Sequence, residues 1–253
     1  MRAKDDLWYR KRGLSQMEER FGVDLRTQIK ERIKKKKKVR IIELGFGEGK
    51  CLLELQAAFP TIELHGINNV RKGHMHKESD FINNAKLFGI PIYNVPHAHF
   101  YDAGEGLAFP NNYFDMAISQ VSIHYVKDKA KLIEEIWRVL KPSGRAFLHL
   151  DTAPEPHAPD FIRSHPETPR FIIYRKGRFI KVSTYLKRIK GISFKKSPHN
   201  SDQRILLMKK SNKKLNLDLV LDSTLNLTRM KGSNPSKTDA AIWWGIRSIY
   251  TVS

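Results

Sequence analysis

Residues 39–49, Val-Arg-Ile-Ile-Glu-Leu-Gly-Phe-Gly-Glu-Gly, constrain the fold of this chain more than any other segment. An apolar run rich in β-branched residues leads directly into three alternating glycines, and a helix-forming segment follows at residues 51–59. The pattern predicts a buried strand, a tight turn and the start of a helix. Glycine at each turn position allows positive φ angles and lets a ligand lie against the main chain, beside the free N–H groups of the helix. The segment therefore predicts a site for a nucleotide-type ligand.

The spacing within this turn separates two kinds of ligand. A dinucleotide-binding turn has the pattern G-x-G-x-x-G, whereas here an acid, Glu43, is followed by glycines at every second position. The segment resembles motif I of the class I S-adenosylmethionine (SAM)-dependent methyltransferases. The resemblance implies that Glu43 helps to anchor the methionine end of SAM. It also implies that the cofactor lies along the turn residues Gly45, Phe46, Gly47 and Gly49. An ordinary strand–helix turn of another α/β protein is the alternative at this point.

Two later segments resemble the same family in the same order along the chain. Residues 107–126 resemble the region of the fourth strand, where a Phe-Asp pair opens a strand that ends at the active site. Residues 128–145 resemble the helix and the Lys-Pro-Ser-Gly turn that precede the fifth strand. The apolar residues of this helix form one stripe, which predicts a buried face: Leu132, Ile133, Ile136, Val139 and Leu140. Together the three segments cover residues 39–150 and imply SAM as the cofactor.

The resemblance and the alternation of strands with helices predict an α/β fold with a Rossmann-like seven-stranded, mostly parallel sheet that has helices on both faces. Four further strands are predicted at residues 62–67, 91–95, 116–122 and 145–150, and an antiparallel pair at 192–194 and 204–208 closes the sheet. A helix is predicted at residues 77–88, where Gly89 ends it.

Three other pieces accompany this core. Residues 1–38 are predicted to form a basic lead-in helix, over residues 14–33, and a linker; the helix packs on the sheet or caps the cofactor. The methyltransferase domain is assigned to residues 39–211, with an insertion at about 153–190 that contains a small hairpin at 171–182. Residues 212–253 form a C-terminal extension, in which alternating leucines from 215 to 221 indicate one more strand.

Composition favours a protein of the reducing cytoplasm. The N-terminus is charged and no apolar run approaches the length of a membrane span, so neither a signal peptide nor a membrane anchor is predicted. Cys51 is the single cysteine among 253 residues, which excludes an internal disulfide framework. It lies on the apolar side of the helix after the glycine turn, where core packing is its predicted role.

The positive charge of the chain is concentrated on its two flanks. Residues 1–40 hold 15 Lys and Arg against 6 Asp and Glu, and residues 161–253 hold 20 against 5, whereas residues 41–160 hold 11 against 15. This segregation favours a surface that faces a polyanion such as RNA. The Lys34–Lys38 run is accordingly either a phosphate-binding arm or a solvated connector. Surface lysines that reflect only the composition of an AT-rich genome remain the alternative.

Four further positions are implied by the resemblance to line the cofactor. The second strand of the family ends in an acid that binds both ribose hydroxyls, whereas this chain has Asn68, which offers fewer acceptors. Asp102 and Ala103 match the place where an acid accepts the adenine amino group. Gln120 lies at the end of the active-site strand. No residue is assigned as a metal ligand.

The absence of two sequence features disfavours two kinds of methyl acceptor. The segment around Gln120 has no Asn/Asp-Pro-Pro-Tyr signature, which disfavours methylation of exocyclic amines, and Cys51 is misplaced for the thiolate that cytosine C5 methylation needs. Transfer to an oxygen, a ring nitrogen or a carbon remains, with His124 and Gln120 as candidate catalytic residues. RNA or a small molecule is the acceptor. A methyltransferase-like domain that has lost catalysis and binds nucleic acid or a partner is the other hypothesis.

Overall fold

The computed structural model describes residues 12–69, 78–120, 122–150, 171–175, 178–198, 204–221 and 248–252. Seven strands form the main sheet: β1 (Arg40–Leu44), β2 (Glu63–Asn68), β3 (His97–Phe100), β4 (Phe114–Ser119), β5 (Leu140–His149), β8 (Ile192–Lys196) and β9 (Arg204–Lys209). Their order is β3-β2-β1-β4-β5-β9-β8. The first five strands pair in parallel, and β9 and β8 close the sheet as an antiparallel pair. The predicted seven-stranded Rossmann-like sheet is confirmed.

Helices cover both faces of this sheet. The helices are α1 (Leu14–Phe21), α2 (Leu25–Lys35), α3 (Lys50–Ala58), α4 (Glu78–Leu87), α5 (Lys129–Val139) and the short α6 (Val182–Leu186). Side chains of α1 to α4 share one buried cluster with the face of β1 that carries Ile41, and α5 shares the other cluster with the face that carries Ile42. The predicted apolar stripe of α5 is buried along its whole length. Among the described residues, no helix is both long and apolar enough to cross a lipid bilayer.

A second, smaller sheet lies beside α5. Its strands are β6 (Phe171–Arg175), β7 (Arg178–Ile180), β10 (Leu219–Leu221) and β11 (Ser248–Val252), in the order β10-β11-β6-β7. The strands β6 and β7 form the predicted hairpin. Of the tail strand predicted at residues 215–221, only Leu219–Leu221 forms a strand, which is β10. The sequence did not predict that the hairpin and the C-terminal extension share one sheet. The hydroxyl of Tyr250 joins this sheet to the start of α5, because it accepts a hydrogen bond from the Ala130 N–H at 3.0 Å.

The lead-in segment forms two helices where the sequence predicted one. The chain turns at Gly22, whose φ of +61° ends α1, and Asp24 then caps α2 by accepting a hydrogen bond from the Thr27 N–H. Both helices pack on the sheet, with Met17, Phe21 and Ile29 buried. Residues 1–11 lie outside the described part of the chain, as do the predicted insertion loop at 153–170 and the tail at 222–247.

The predicted third strand at residues 91–95 is wrong. Pro91 has a φ of −62° and starts a 3-10 turn over Ile92–Asn94, in which the Asn94 N–H donates to the Pro91 carbonyl at 2.8 Å. The strand that pairs with β2 follows at His97–Phe100. The apolar residues of the segment predicted as a strand are largely exposed: the accessible fraction is 73% for Ile92 and 89% for Tyr93. The remaining strands differ from prediction only at their ends, as β5 begins five residues early and β4 ends three residues early.

Two acidic side chains hold the lysine linker against the amino end of the sheet. The carboxylate of Asp115 is fully buried and pairs with Lys36 at 2.5 Å and with Lys141 at 2.7 Å. Glu63 pairs with Lys38 at 2.5 Å and with Arg40 at 3.1 Å. These partners are partly exposed, so each pair contributes modestly to stability, but together they fix the path by which the chain enters β1.

A cluster of three histidines lies on one face of β2 and β3. The ring of His65 stacks on His97 and on His99, and its Nδ1 lies 3.1 Å from the His99 Nε2. Its Nε2 lies 2.9 Å from the Glu63 carboxylate. Burial lowers the pKa of His65 to about 4, although the Glu63 hydrogen bond acts in the opposite direction. Among the described residues, no group of three potential ligands is arranged to hold a metal ion.

The depressed pKa of His65 makes the stability of the protein depend on pH. The unfolded chain takes up a proton at His65 near pH 6.5, whereas the folded chain takes it up only near pH 4. The contribution of His65 is therefore present above pH 6.5 and is lost as the pH falls towards 4, by about 1–2 kcal/mol between pH 7 and pH 5. Urea unfolding at both pH values measures this loss. His65→Gln, which cannot titrate, should reduce it, and an unchanged loss would contradict the assignment.

Candidate active site

The glycine turn lies at the point where the strand order of the sheet reverses. β1 pairs with β2 on one side and with β4 on the other, so the crossovers that leave β1 and β4 run to opposite sides of the sheet. Ligands of open α/β sheets bind at the carboxyl ends of the strands at such a point. The turn is fixed to β2, because the N–H of Gly45 donates to the Ile67 carbonyl at 2.7 Å. It ends at α3, whose first main-chain N–H groups face the same edge.

The three glycines of the turn have different surroundings. All three have positive φ angles, between 60° and 85°. A Cβ added at Gly45 would lie 2.0 Å from the Cβ of Ser122, and one at Gly49 would lie 2.2 Å from the ring of Phe81. At Gly47 the nearest atom is the Nη1 of Arg12, at 3.4 Å. The sequence interpretation assigned all three glycines to ligand binding. In the structure, packing alone requires glycine at positions 45 and 49. Gly47 faces the open edge.

Phe46 belongs to the core through its side chain. The residue is buried, and its ring lies 5.3 Å from that of Phe81 and 5.9 Å from that of Phe100. Its ring also fills the space beside Gly66 on β2, where an added Cβ would lie 2.5 Å from it. The main chain of Phe46, and not its side chain, therefore lines the predicted cofactor turn.

Glu43 is the most unusual residue of the site. It lies near the end of β1 and is 3% exposed, and its Oε2 has no hydrogen-bond partner among the described residues. Burial raises the pKa of its carboxyl to about 8, although the positive charge of Arg12 acts to lower it. A buried acceptor without a donor is costly. The donor set of SAM fits this position, since the methionine ammonium group would supply both the missing donor and a compensating charge.

The ends of β2 and β3 meet the glycine turn at one edge. The side-chain amide of Asn68 donates to the Gly47 carbonyl at 3.4 Å, and that of Asn69 donates to the Asp102 carboxylate at 3.1 Å. Asp102 also caps a 3-10 helix that begins at Ala103, by accepting from the Gly104 N–H at 2.8 Å. The structure thus brings the predicted ribose and adenine positions beside the turn.

The end of β4 forms the acceptor side of this edge. Gln120 follows β4 and is buried, and its main-chain carbonyl accepts a hydrogen bond from the Nδ1 of His149 at 2.7 Å. His124 lies in the following 3-10 helix, Ser122–Tyr125. The sequence analysis did not select His149, although its place at the end of the fifth strand was available as a signal. It also missed Arg12 and Ser122, for which no sequence pattern exists.

Comparisons with known proteins identify a related domain in this chain. A family model described as "Methyltransferase domain" matches residues 42–148. The ubiquinone/menaquinone biosynthesis C-methyltransferase UbiE of Vibrio cholerae serotype O1 is 34% identical over 119 residues, which are 43% of this chain and 40% of that protein. Human arsenite methyltransferase is 28% identical over 128 residues, which are 49% of this chain and 34% of that protein. The chain therefore spans less than half the length of these two curated relatives.

Among solved structures, a putative sarcosine dimethylglycine methyltransferase from Galdieria sulphuraria superposes with a TM-score of 0.53 at 14% identity, over 75% of this chain and 84% of that one. At that identity the likeness concerns the fold. The fold and the site define an α/β protein with a ligand turn at the switch point of its sheet. The family match identifies a methyltransferase domain over residues 42–148, and together with the fold it supports a class I SAM-dependent methyltransferase with SAM as the cofactor.

Gly47→Val should abolish SAM binding while the protein still folds. The valine methyl groups would lie where the ligand meets the turn, and the positive φ angle adds a strain of about 1–2 kcal/mol. Calorimetric titration with SAM measures the affinity, and thermal unfolding measures the strain.

Gly89→Val is the matched control for this experiment. Gly89 has nearly the same φ angle, +66° against +60°, and an added Cβ would have nothing within 4 Å. Both variants should lose similar stability, and only Gly47→Val should lose SAM binding. Equal affinities for SAM in the two variants would show that the turn is not the cofactor site.

Proposed function

We propose that the protein catalyses the transfer of a methyl group from SAM to an acceptor held at the carboxyl edge of the sheet. The observation that carries this proposal is the buried carboxyl group of Glu43, whose Oε2 has no hydrogen-bond partner among the described residues, next to the open face of Gly47. A methyltransferase fold that had lost its cofactor would gain by replacing such a residue with an apolar one. The family match supports the same activity.

Each residue of the edge has a proposed role in holding the cofactor. Glu43 accepts from the methionine ammonium group, and Gly47 lets that part of SAM approach the main chain. Asn68 binds one ribose hydroxyl, since an amide offers fewer acceptors than the acid that is common at this position. Asp102, near Ala103, accepts from the adenine amino group; its present bond from Asn69 is at an exposed position and exchanges at little cost.

The protein contributes alignment to the transfer itself. The sulfonium of SAM supplies an activated methyl group, which an acceptor lone pair takes by in-line displacement. The hydrogen bond from His149 to the Gln120 carbonyl holds the end of β4, where the acceptor enters, in one geometry. Cys51 is buried and its pKa is raised by burial, so it does not supply a thiolate. An oxygen, a ring nitrogen or a carbon remains as the atom that receives the methyl group.

Proton release tests this cofactor site. Because the pKa of Glu43 is about 8, its carboxyl is mostly protonated at pH 7, and an ammonium partner requires the ionised form. SAM binding at pH 7 should therefore release close to one proton, measured by calorimetry in buffers of different ionisation enthalpy. Glu43→Gln should bind more weakly and release none. Absence of SAM binding by the parent protein would refute the proposed function.

Two classes of acceptor follow from different observations. The names of the two relatives specify a quinone-biosynthesis C-methylation and the methylation of arsenite, so the similarity of this chain to them favours a small acceptor. The charge of the chain favours RNA. Transfer of tritium from labelled SAM to total RNA or to a metabolite extract distinguishes the two classes.

The RNA hypothesis depends on lysines that face solvent. All five lysines of the Lys34–Lys38 run are exposed. Lys36 and Lys38 pair with Asp115 and Glu63, whereas Lys34, Lys35 and Lys37 have no acidic partner among the described residues. The run precedes β1 and so lies at the amino end of the sheet, opposite the glycine turn. RNA bound there would be held away from the methyl donor and would extend along the molecule to reach it. We propose these exposed lysines as docking contacts for RNA phosphates.

Simultaneous replacement of Lys34, Lys35 and Lys37 by glutamine should weaken RNA binding and its dependence on salt. Each phosphate contact on a single strand contributes about −0.7 to the slope of log affinity against log salt, so the triple variant should lose up to about 2 units of slope. Fluorescence anisotropy of a labelled single-stranded RNA at several salt concentrations measures the slope.

Lys36→Gln is the control, because that lysine is held by Asp115. It should lower thermal stability and change the salt slope little. SAM affinity should be the same in all variants. RNA binding that does not respond to salt, or a triple variant with the parent slope, would remove RNA as the docked partner and leave the small acceptor.

A further inference from the structure

A cavity of about 760 Å³ lies at the amino end of the sheet, opposite the glycine turn. It is bounded by the loop before β4, the end of α5, the start of β5 and the segment that follows β9. Its volume is within the range of about 300–1,000 Å³ that small-molecule sites occupy. The residues assigned to the cofactor lie at the other end of the strands, so this amino-end cavity is separate from the methyltransferase site.

Two hydrogen bonds fasten the segment after β9 across α5. The indole N–H of Trp137 donates to the Lys213 carbonyl at 2.8 Å, and the Leu217 N–H donates to the Glu134 carboxylate at 2.7 Å. The side chains of Lys213 and Lys214 line the cavity, are exposed, and have no acidic partner among the described residues. Both ammonium groups are therefore carried by a main chain that is held in place.

A third lysine of the cavity is half-buried. The Nζ of Lys210 donates to the side-chain oxygen of Asn112 at 2.7 Å and to the Arg138 carbonyl at 2.9 Å, and no acid pairs with it in the described part of the chain. Burial, and after it the charge of Arg138, lowers the pKa of Lys210. An anion beside this ammonium group would offset both effects.

The two carboxylates that line the cavity are already engaged. Glu135 accepts two hydrogen bonds from Arg138, each at 2.7 Å, and Glu134 accepts from the Leu217 N–H. The lining contains four cationic and two acidic side chains, so its net charge is +2. The cavity therefore favours an anionic ligand.

Two asparagine side chains add neutral donors. The side-chain oxygen of Asn111 accepts from the Nη1 of Arg138 at 3.0 Å, and that of Asn112 accepts from Lys210. Because cations fix both oxygens, the amide NH₂ groups are the atoms that remain for a ligand. The cavity thus offers N–H donors and positive charge, which are the complement of a phosphate group.

The start of β5 connects this cavity to the lysine run that is proposed to dock RNA. Arg32 of α2, just before the run, donates to the Ser143 carbonyl at 3.4 Å, and the Ser143 N–H donates to the Lys210 carbonyl at 3.0 Å. A single strand that follows the lysine run can therefore reach the cavity across one turn of the chain. A free nucleotide would use the cavity contacts alone.

We propose that the amino-end cavity binds one nucleotide of an RNA strand, with its phosphate against Lys213, Lys214 and the amide group of Asn111. The inference rests on the proposed function, since it takes RNA as the docked partner. It adds a binding site that the lysine run does not contain. The nucleotide held here anchors the strand, and a different nucleotide, at the carboxyl edge of the sheet, receives the methyl group.

Simultaneous replacement of Lys213 and Lys214 by glutamine should remove two phosphate contacts. The slope of log affinity against log salt should fall by up to about 1.4 units, since each contact on a single strand contributes about 0.7. Fluorescence anisotropy of a labelled single-stranded RNA measures the slope. Calorimetric titration with SAM should give the parent affinity. A double variant with the parent slope would overturn the proposal.

Asn111→Asp tests the cavity by a different change. Aspartate keeps an oxygen that accepts from Arg138, but it removes the amide donor and places a negative charge beside the phosphate. The affinity for RNA should fall by about 10-fold, the loss expected for one hydrogen bond to a charged group. An unchanged affinity would contradict the assigned contact. Thermal unfolding verifies that the variant is folded.

Asn216→Asp is the matched control for this charge change. Asn216 is exposed and lies outside the cavity, and its side-chain oxygen accepts from the Asp218 N–H at 3.1 Å, a bond that aspartate also makes. Because an exposed charge is screened by salt, the affinity for RNA should change by less than about twofold. Equal losses in the two variants would indicate general charge repulsion and would overturn the proposal.

Adenosine monophosphate distinguishes an RNA strand from a free nucleotide. It should bind at least about 100-fold more weakly than the RNA, because it can make the cavity contacts and none of those at the lysine run. Equal affinities would assign the cavity to a free nucleotide and would overturn the anchoring of a strand.

Failure of this inference is distinguishable from failure of the proposed function. A parent protein that binds SAM but no RNA refutes the anchor and leaves methyl transfer to a small acceptor. A parent protein that binds RNA through the cavity but does not bind SAM refutes the proposed methyl transfer and leaves the RNA site.

Discussion

The close approach of Ser122 to Gly45 is the contact on which the site depends. It brings the end of β4 against the end of β1, and the Ser122 hydroxyl reinforces it by donating to the Leu44 carbonyl at 2.6 Å. Phe81 approaches Gly49 in the same way from α4. The turn is thus held from both sides, and Gly47 between them is left facing the edge where the cofactor is expected. Any side chain at Gly45 would separate the two strand ends that form this edge.

Ion pairing divides the lysine run into two sets of side chains. Asp115 and Glu63 are acidic residues at the amino end of the sheet, and each takes one lysine of the run as a partner. Alternate lysines are therefore held by an acid, and those between them have no acidic partner among the described residues. A count of charges along the sequence treats all five alike, since it contains no information about which lysine meets a buried carboxylate.

The accuracy of the sequence predictions follows the strength of the local signal. The strand, turn and helix at residues 39–58 and the apolar stripe of α5 were predicted correctly, because both signals are periodic and are ended by glycine or proline. The third strand was misplaced, because β3 is a histidine-rich edge strand and the apolar residues before it are exposed in a 3-10 turn. The pairing of the hairpin with β11 was not predicted, since their partners are more than 70 residues apart.

The sequence by itself determined the class of fold, the glycine turn that follows Glu43, and the order of the methyltransferase segments, because these depend on residues close together in the chain. It also implied the approximate positions of Asn68 and Asp102, which follow from the rule that parallel strands end at one edge. Only the tertiary structure decided which glycine faces the open edge and which lysines pair with Asp115 and Glu63. It also brought Arg12 over the turn, since that contact joins residues from separate parts of the chain, and only packing of the N-terminal helices on α3 makes them neighbours.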